Sequence, residues 1–460
     1  MAEIHLTRSR QTIKLGLIIV VRQLFPEETL KIAYSIQEAE FCRFTKTAIS
    51  VREVRQIESA LRHWIATDPD IEYIERKDGY YQYRCAGTDV RLIYPCDTNV
   101  DAIGPFDVLP YADGFIVDFN DANRDDWSLA PPDKLAVTYE KTQEWLRNTN
   151  LELLGDVNSY IAGGATLKMI GMAEALQEKE ISTIADTILE RKKILRVLLI
   201  SGASSSGKTS FAQRLSTQLS VNGFNPVTLS LDDYYVDREN TPLDAEGRYD
   251  FDRVDALDLP FLQHQLSELI YGKTVETPIF DFKTGRRFNR TRRMRIGPND
   301  ILLVEGIHAL NPTLFPNIDR NMLFKVYMTA LFQLNIDLIN RVPSSEVRMI
   351  RRIVRDDRFR DRHPTETLDQ WDNVRRGEYR SVFKYQEEAD IMFNSSLLYE
   401  LNALRPFAER SLNKIEDGGP YAHTKERLLR IISFCEPMDT AKIPFNSLLR
   451  EFIGGSIYFD

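Results

Sequence analysis

The sequence predicts an α/β fold, in which a parallel β-sheet with flanking helices is preceded by an α+β region with a mostly antiparallel sheet. After residue 194, apolar strand-like runs alternate with helix-like stretches, a pattern typical of a parallel sheet. Before residue 119, helix-like stretches alternate with short strand-like ones. A loop rich in glycine and serine, residues 202–209, separates the first apolar run of the second region from a helix-like stretch.

The composition bounds the class of protein. A chain of 460 residues is too long for one ordinary core, so we expect two or three domains. With 43% apolar and 28% charged residues it is typical of soluble globular proteins, and no apolar run has the length that spans a bilayer. The net charge of −9 argues against a general nucleic-acid binder. Cysteines without C-x-x-C spacing predict reduced thiols, no zinc site and a cytoplasmic location. They are Cys42, Cys85, Cys96 and Cys435.

Four segments are predicted along the chain. They are an α+β domain (residues 1–122), a linker and helical arm (123–193), the α/β domain (194–415) and a carboxyl-terminal extension (416–460). In the first segment we expect helices at 15–24 and 51–65 and strands at 71–74, 80–84, 90–94 and 114–119. In the third we expect strands at 194–200, 227–231, 301–304 and 323–328. The extension has one helix-like stretch, residues 425–434, and no readable role.

The motif GASSSGKT, Gly202 to Thr209, is the strongest functional signal in the chain and has the pattern of a P-loop. Gly202 and Gly207 allow the tight backbone path that points N–H groups inward, toward phosphate oxygens. Lys208 adds a cation, and the hydroxyl of Thr209 adds a magnesium ligand. The sequence therefore predicts a P-loop NTPase-type sheet, although a surface turn rich in serine and glycine is the alternative interpretation. The predicted nucleotide-binding residues are Gly202, Ala203, Ser204, Ser205, Ser206, Gly207, Lys208, Thr209 and Ser210.

Two carboxylates follow predicted strands. Asp232 comes directly after strand 227–231, and Glu305 directly after strand 301–304. Because the carboxyl ends of parallel strands meet at one edge of a sheet, both should lie near the loop. With Thr209 they form an oxygen ligand set suited to Mg²⁺, and Asp232 can also accept a proton from an attacking hydroxyl. A helix cap at Asp232 and a simple strand-end turn at Glu305 are the alternatives.

A basic cluster lies on a predicted helix over residues 346–355. Its apolar face carries Val347, Ile350 and Val354, and its opposite face carries Arg348, Arg351, Arg352 and Arg355. A solvated charged face is the simpler interpretation. The functional interpretation is a lid of arginines that closes over transferring phosphates, with Arg360 and Arg362 just beyond it.

From about residue 195 to 404 the chain resembles the uridine kinase and phosphoribulokinase group of P-loop kinases. The resemblance is carried by GASSSGKT, LSLDDYYVD (229–237), YDFDRVDALD (249–258), PIFDFKTGRR (278–287), LLVEGIHALN (302–311) and RRIVRDDRFRDR (351–362). It implies ATP and Mg²⁺ as cofactors and Asp232 as the catalytic base. It also implies that Lys208, Arg352 and Arg360 act on the transferring phosphate, and that Thr209, Asp232 and Glu305 are the metal ligands.

The same resemblance implies an acceptor pocket. Asp252 would hold sugar hydroxyls, and aromatic rings would stack on a base. Pyrimidine-specific relatives carry a histidine where this sequence has Gly285, and glycine offers no side-chain hydrogen bond, so the base preference stays open. The implied substrate-binding residues are Tyr235, Phe251, Asp252, Phe280, Phe282, Arg287, Arg355 and Arg362.

Residues 15–44, LGLIIVVRQLFPEETLKIAYSIQEAEFCRF, resemble the second amino-terminal domain of threonyl-tRNA synthetases. In the synthetases that domain edits mischarged tRNA with a histidine-rich site. Here no histidine lies between Gln11 and Arg62, so editing is not expected. A scaffold is preferred slightly over a binding or regulatory module.

Together these features predict an ATP- and Mg²⁺-dependent kinase that transfers the γ-phosphate to a primary hydroxyl of a nucleoside. The alternatives are a phosphoribulokinase-like sugar-phosphate kinase and an RNA-associated nucleotide-binding protein that uses the synthetase-like domain. A small molecule is the expected partner, nucleic acid a less expected one, and a membrane is not expected. We also expect a homo-oligomer.

Overall fold

The computed structural model describes residues 2–36, 39–119, 133–244, 247, 249–281, 284–316 and 318–458, without the side chains of residues 2–7. Among the described residues, none of the helices combines the length and the hydropathy needed to cross a bilayer. All four cysteines are buried free thiols.

The amino-terminal region contains two antiparallel sheets and two helices. Its elements are α1 (Ala2–Leu24), β1 (Leu30–Ile36), β2 (Ala39–Phe44), α2 (Val51–Ala66), β3 (Ile71–Lys77), β4 (Tyr80–Cys85), β5 (Thr88–Leu92), β6 (Asp107–Tyr111) and β7 (Gly114–Asp118). The strand orders are β1-β2-β7-β6 and β3-β4-β5. Helix α1 is apolar and buried from Leu17 to Val21, so it forms the centre of this core. A Cβ on Gly16 would lie 2.4 Å from the ring of Trp64, which explains the glycine where α1 crosses α2.

A helical arm follows, and its helices are α3 (Asp133–Thr149), α4 (Leu154–Ala162) and α5 (Thr166–Glu190). Of the predicted linker and helical arm, residues 123–132 lie outside the described residues, and residues 133 and 134 begin α3. Ile181, Ile184 and Ile188 of α5 are buried against the apolar residues of the next sheet. The arm therefore shares the core of the region that it leads into.

The remaining elements form the α/β region and its carboxyl-terminal extension. They are β8 (Val197–Gly202), α6 (Lys208–Val221), β9 (Asn225–Ser230), α7 (Leu259–Ile270), β10 (Val275–Thr277), β11 (Phe280–Asp281), β12 (Arg286–Arg287), β13 (Arg292–Met294), β14 (Asp300–Glu305), β15 (Leu323–Thr329), α8 (Ser344–Phe359), α9 (Pro364–Asp369), α10 (Trp371–Ser381), β16 (Ile391–Asn394), α11 (Glu400–Leu412), α12 (Ala422–Ser433) and α13 (Arg450–Ile453).

Five of these strands form one parallel sheet in the order β16-β15-β8-β14-β9. The predicted parallel sheet with flanking helices is therefore confirmed. Strands β1, β2, β6 and β16, and the short strands β10 to β13, were not predicted. Strand β8 is central and fully buried, so the loop that follows it emerges at the middle of the carboxyl edge. The pairs β10–β13 and β11–β12 are short antiparallel additions outside this sheet.

Candidate active site

The loop between β8 and α6 wraps around the ammonium group of Lys208. The Nζ of Lys208 donates to the carbonyl oxygens of Gly202, at 2.9 Å, and Ala203, at 3.2 Å. Gly207 has a φ of 83°, which favours glycine, whereas Ser205 adopts a φ of 60° at a cost in backbone strain. A Cβ on Gly202 would lie 2.4 Å from the carbonyl oxygen of Met328, so close contact with β15 also requires glycine there.

Two buried ion pairs hold this loop from outside. Glu378 of α10 accepts a hydrogen bond from the backbone N–H of Ser204 at 3.0 Å and pairs with Arg348. Arg351 donates to the carbonyl oxygen of Ser205 at 3.2 Å and pairs with Glu400 of α11. Because Arg348 and Arg351 are both buried, the face of α8 that carries them is not a solvated charged face.

The remaining arginines of the predicted lid surround one carboxylate, that of Asp356. Arg352, Arg355 and Arg360 have nitrogen atoms 3.5, 3.0 and 3.6 Å from it. Burial opposes ionisation, but these cations hold the pKa of Asp356 below its ordinary value. Arg352 also donates to the Oγ of Ser204 at 2.7 Å, so this cluster reaches the loop.

The two predicted carboxylates meet at the carboxyl ends of β9 and β14. The Oγ of Ser230 donates to Glu305 at 2.7 Å and accepts from the backbone N–H of Asp232 at 3.4 Å. Burial raises the pKa of Asp232, while Lys208 and Arg360 oppose the shift. Burial and the charge of Asp232 raise the pKa of Glu305 to about 7. Burial therefore disfavours the ionised forms of Asp232 and Glu305.

This chemistry fits a magnesium ion. Within the residues that the structure describes, no three His, Cys, Asp or Glu side chains gather as a metal cage. Magnesium is commonly held by one or two carboxylates together with phosphate oxygens and waters. Asp232, Glu305 and the exposed hydroxyl of Thr209 supply such oxygens, and a divalent cation would offset the charge that burial disfavours.

Three aromatic residues of the predicted acceptor pocket pack together, and the charge of Asp232 acts on one of them, Tyr235. The Tyr235 ring is 5.7 Å from that of Phe280 and 6.3 Å from that of Phe251, measured between centroids. Burial raises the pKa of Asp252 to about 7, although Arg352 opposes the shift. Phe282, and Lys283 beside it, lie outside the described residues.

Two predicted substrate-binding arginines contact protein groups. Arg287 donates to the carbonyl oxygens of Tyr234, at 3.0 Å, and Tyr235, at 3.1 Å, and pairs with Asp258. It therefore fixes the backbone that carries the Tyr235 ring. Arg362 donates to the side-chain oxygen of Gln370 at 2.7 Å. Direct contact of either arginine with substrate stays a prediction.

The backbone conformation at residue 285 and the nearby Arg238 side chain both favour glycine at this position. Its φ is 70°, and a Cβ there would lie 2.7 Å from the Nε of Arg238. The backbone N–H of Arg238 donates to the carbonyl oxygen of Gly285 at 2.8 Å. A histidine at this position would therefore meet both backbone strain and a steric conflict.

Sequence reasoning missed several residues at this site. Ser230 lies directly before the predicted acidic pair, so its position offered a local signal. Glu378, Glu400 and Glu451 come from distant helices, and no motif marks them. Glu451, in α13, accepts a hydrogen bond from the Oγ of Ser210 at 2.7 Å.

A cavity of about 530 Å³ lies beside α8 and α10. Its walls include Gln11 and Tyr94 from the amino-terminal region and Trp371 from α10. Ala203 of the predicted loop and Arg348 of the predicted arginine lid line it, whereas Asp232 and Glu305 do not. The cavity is therefore separate from the paired carboxylates.

A phosphate-binding loop at the centre of a parallel sheet, with paired carboxylates beside its lysine, defines a P-loop phosphotransferase. The model of the phosphoribulokinase / uridine kinase family matches residues 197–398. The uridine kinase of Lactobacillus helveticus is 30% identical over 176 residues, which are 38% of this chain and 74% of that protein. The uridine kinase of Chloroflexus aggregans is 30% identical over 198 residues, 43% of this chain and 85% of that protein. The chain belongs to the phosphoribulokinase / uridine kinase family.

The chain also shares partial similarity with solved structures. A possible uridine kinase from Bacillus stearothermophilus has 24% sequence identity and a TM-score of 0.31, over 47% of this chain and 98% of that one. A D-glycerate 3-kinase from Cryptococcus neoformans has 14% identity and a TM-score of 0.30, over 44% of this chain and 87% of that one.

Proposed function

We propose that the protein is an ATP- and Mg²⁺-dependent kinase that transfers the γ-phosphate to the primary hydroxyl of a nucleoside. The observation that carries the proposal is the position of Asp232, whose carboxylate interacts electrostatically with Lys208 of the loop and with Tyr235 of the acceptor side. The similarity to proteins named uridine kinase supports a nucleoside as the acceptor.

In the proposed reaction, the bond between the γ-phosphorus and its bridging oxygen breaks as the acceptor oxygen bonds to phosphorus. Asp232 accepts the hydroxyl proton, and Asp252 orients the sugar hydroxyls. Lys208, Arg352 and Arg360 stabilise negative charge on the transferring group. Magnesium held by Thr209, Asp232 and Glu305 would neutralise phosphate charge.

The test is a product assay with the full chain. MgATP would be incubated with each of the common nucleosides and with ribulose 5-phosphate, and phosphorylated products would be separated by chromatography. Asp232→Asn should lower kcat about 10²- to 10⁴-fold, the usual contribution of a general base. Asp186→Asn, at an exposed position on α5, is the matched control and should leave kcat unchanged. Absence of any nucleoside product, or equal rates for the two variants, would contradict the proposal.

We also propose that the amino-terminal region, which resembles a threonyl-tRNA synthetase domain, is a scaffold for the kinase region. Three polar contacts support this role. Asn335 donates to the carbonyl oxygen of Ile32 at 2.7 Å. Arg341 donates to the carbonyl oxygen of Ala33 at 3.1 Å and to the Oγ of Ser35 at 2.7 Å. Both residues precede α8, so the scaffold would fix the helix that carries the arginines.

The RNA-associated alternative makes a different prediction for the same region. Titration of the full chain with bulk tRNA across a salt series should show no specific binding if the region is a scaffold. Tight binding with a steep dependence on salt would contradict the scaffold role, because that dependence reports phosphate contacts.

A further inference from the structure

The carboxyl-terminal strap, residues 440–458, packs beside the phosphate-binding loop. Its helix α13 contacts α8 and α11. Arg450 fixes the strap, because its guanidinium donates to the carbonyl oxygens of Thr440, at 3.0 Å, and Gly454, at 3.1 Å. The ring of Phe452 is buried and lies 5.1 Å from the guanidinium of Arg351, which itself holds the loop. The strap is therefore an ordered wall of the site.

The strap brings a carboxylate to phosphate-binding groups. Glu451 accepts a hydrogen bond from Ser210, in the first turn of α6, and its other oxygen lies 3.8 Å from Arg355. The side chain of Glu451 is 14% exposed, and that of Arg355 is 11% exposed. The negative charge of Glu451 also acts on two other groups. Burial lowers the pKa of Lys208, and Glu451 opposes that shift. Glu451 also contributes to the raised pKa of Glu305.

A carboxylate and a phosphate group compete for the same donors. The first turn of a helix after a P-loop and a nearby arginine both favour an anion. Glu451 already supplies that anion from within the chain. The oxygens of an entering triphosphate are repelled by the Glu451 carboxylate. They also find the Ser210 hydroxyl and the Arg355 guanidinium already paired with Glu451.

We propose that Glu451 is a residue of the donor phosphate site that competes with the donor for Ser210 and Arg355, so that the strap sets the affinity for the donor. The proposal rests on the proposed kinase function, since it assumes that a nucleoside triphosphate binds the loop. A purely structural role for Glu451 predicts the opposite result, because loss of its charge would then leave Arg355 without one of the partners that position it and would weaken donor binding.

The experiment measures binding by isothermal titration calorimetry of the full chain with MgATP and, separately, with magnesium tripolyphosphate. Glu451→Gln keeps the shape and removes the charge, and should tighten binding of both ligands about five- to tenfold. Both ligands carry the triphosphate group that competes with Glu451, so their affinities should rise by the same factor. Glu451→Ala is a second variant with the same expected direction. Glu436→Gln is the matched control, since it removes one exposed negative charge elsewhere in the extension and should change nothing.

The outcomes separate the two proposals. If neither the wild type nor any variant binds MgATP, the proposed kinase function fails, and the role of Glu451 fails with it. If the wild type binds MgATP and the folded Glu451 variants bind it equally or more weakly, the kinase proposal stands and the competition by Glu451 is overturned.

Discussion

The proposed donor and acceptor sides of the site are built in different ways. On the donor side, the loop is held by the buried pairs Arg348–Glu378 and Arg351–Glu400. On the acceptor side, Tyr235 packs against aromatic rings beside Asp252, a carboxylate with a raised pKa. A satisfied buried ion pair fixes geometry through charge and hydrogen bonds, whereas aromatic rings pack through apolar area and ring orientation. We therefore expect the proposed donor side to depend on buried ion pairs and the proposed acceptor side to depend on side-chain packing.

The largest expected effect concerns the buried pairs. Glu378→Ala leaves the guanidinium of Arg348 buried without its carboxylate, which should lower the free energy of unfolding by about 3–5 kcal/mol. It also removes the acceptor for the N–H of Ser204, so KM for ATP should rise. Urea denaturation and steady-state kinetics measure the two effects.

The control for this prediction is an exposed pair of the same type. Glu426→Ala breaks the ion pair between Glu426, which is 53% exposed, and Arg76, which is 42% exposed. It should lower the free energy of unfolding by less than about 1 kcal/mol. Equal losses for the two variants would show that the donor side is not held by burial of its ion pairs.

A second prediction separates the two sides kinetically. Gly377 of α10 lies against the acceptor side, because a Cβ there would be 2.2 Å from the Cβ of Asp252. Gly377→Ala should therefore raise KM for the acceptor by about tenfold or more, with KM for ATP changed little. Gly171→Ala, in α5 with no atom within 4 Å of the added Cβ, is the control and should leave both constants unchanged. A rise in KM for ATP alone would contradict the division between the sides.

The sequence predicts those site residues that lie next to a strand in the chain, and it misses those that tertiary packing brings from distant segments. The loop follows β8, Asp232 lies two residues after β9, and Glu305 is the last residue of β14, so local pattern was enough to place them at one edge. Strand β16 is four residues long and β2 has no clear alternation, so no periodicity marked them. Strand β1 does alternate, with Leu30, Ile32, Tyr34 and Ile36 at every second position, and this signal was missed. Glu378 and Glu451 reach the loop only through tertiary packing. The arginines of α8 were found by helical spacing, but their buried partners come from α10 and α11, which the spacing does not reveal.

A third prediction uses the raised pKa of Asp252. An unperturbed aspartate has a pKa near 3.9, and burial raises that of Asp252 to about 7. Folding therefore favours the neutral form of Asp252. The stability that this form contributes is lost as the pH rises from about 4 through 7. Asp252→Asn stays neutral, so it should unfold at a higher temperature than the wild type at pH 8, by a few degrees, with a smaller gain at pH 5.5. Arg352 keeps Asp356 as a partner in this variant.

Thermal unfolding by circular dichroism at the two pH values measures the difference, and the same variant should lose acceptor phosphorylation. A gain in stability that is equal at both pH values would show that the charge of Asp252 is not the cause.

The smallest expected effect tests whether Gly285 is retained for backbone shape. Gly285→Ala places a Cβ at a φ of 70° and 2.7 Å from the Nε of Arg238, which should cost about 1–2 kcal/mol of stability. Gly87→Ala has a φ of 71° and no atom within 4 Å of its Cβ, so the difference between the two variants isolates the contact with Arg238. Acceptor preference across the nucleoside panel should not change, because glycine contributes no side chain to the base. An altered preference in Gly285→Ala, at unchanged stability, would mean that this backbone turn itself contacts the base and would place Gly285 in the acceptor pocket.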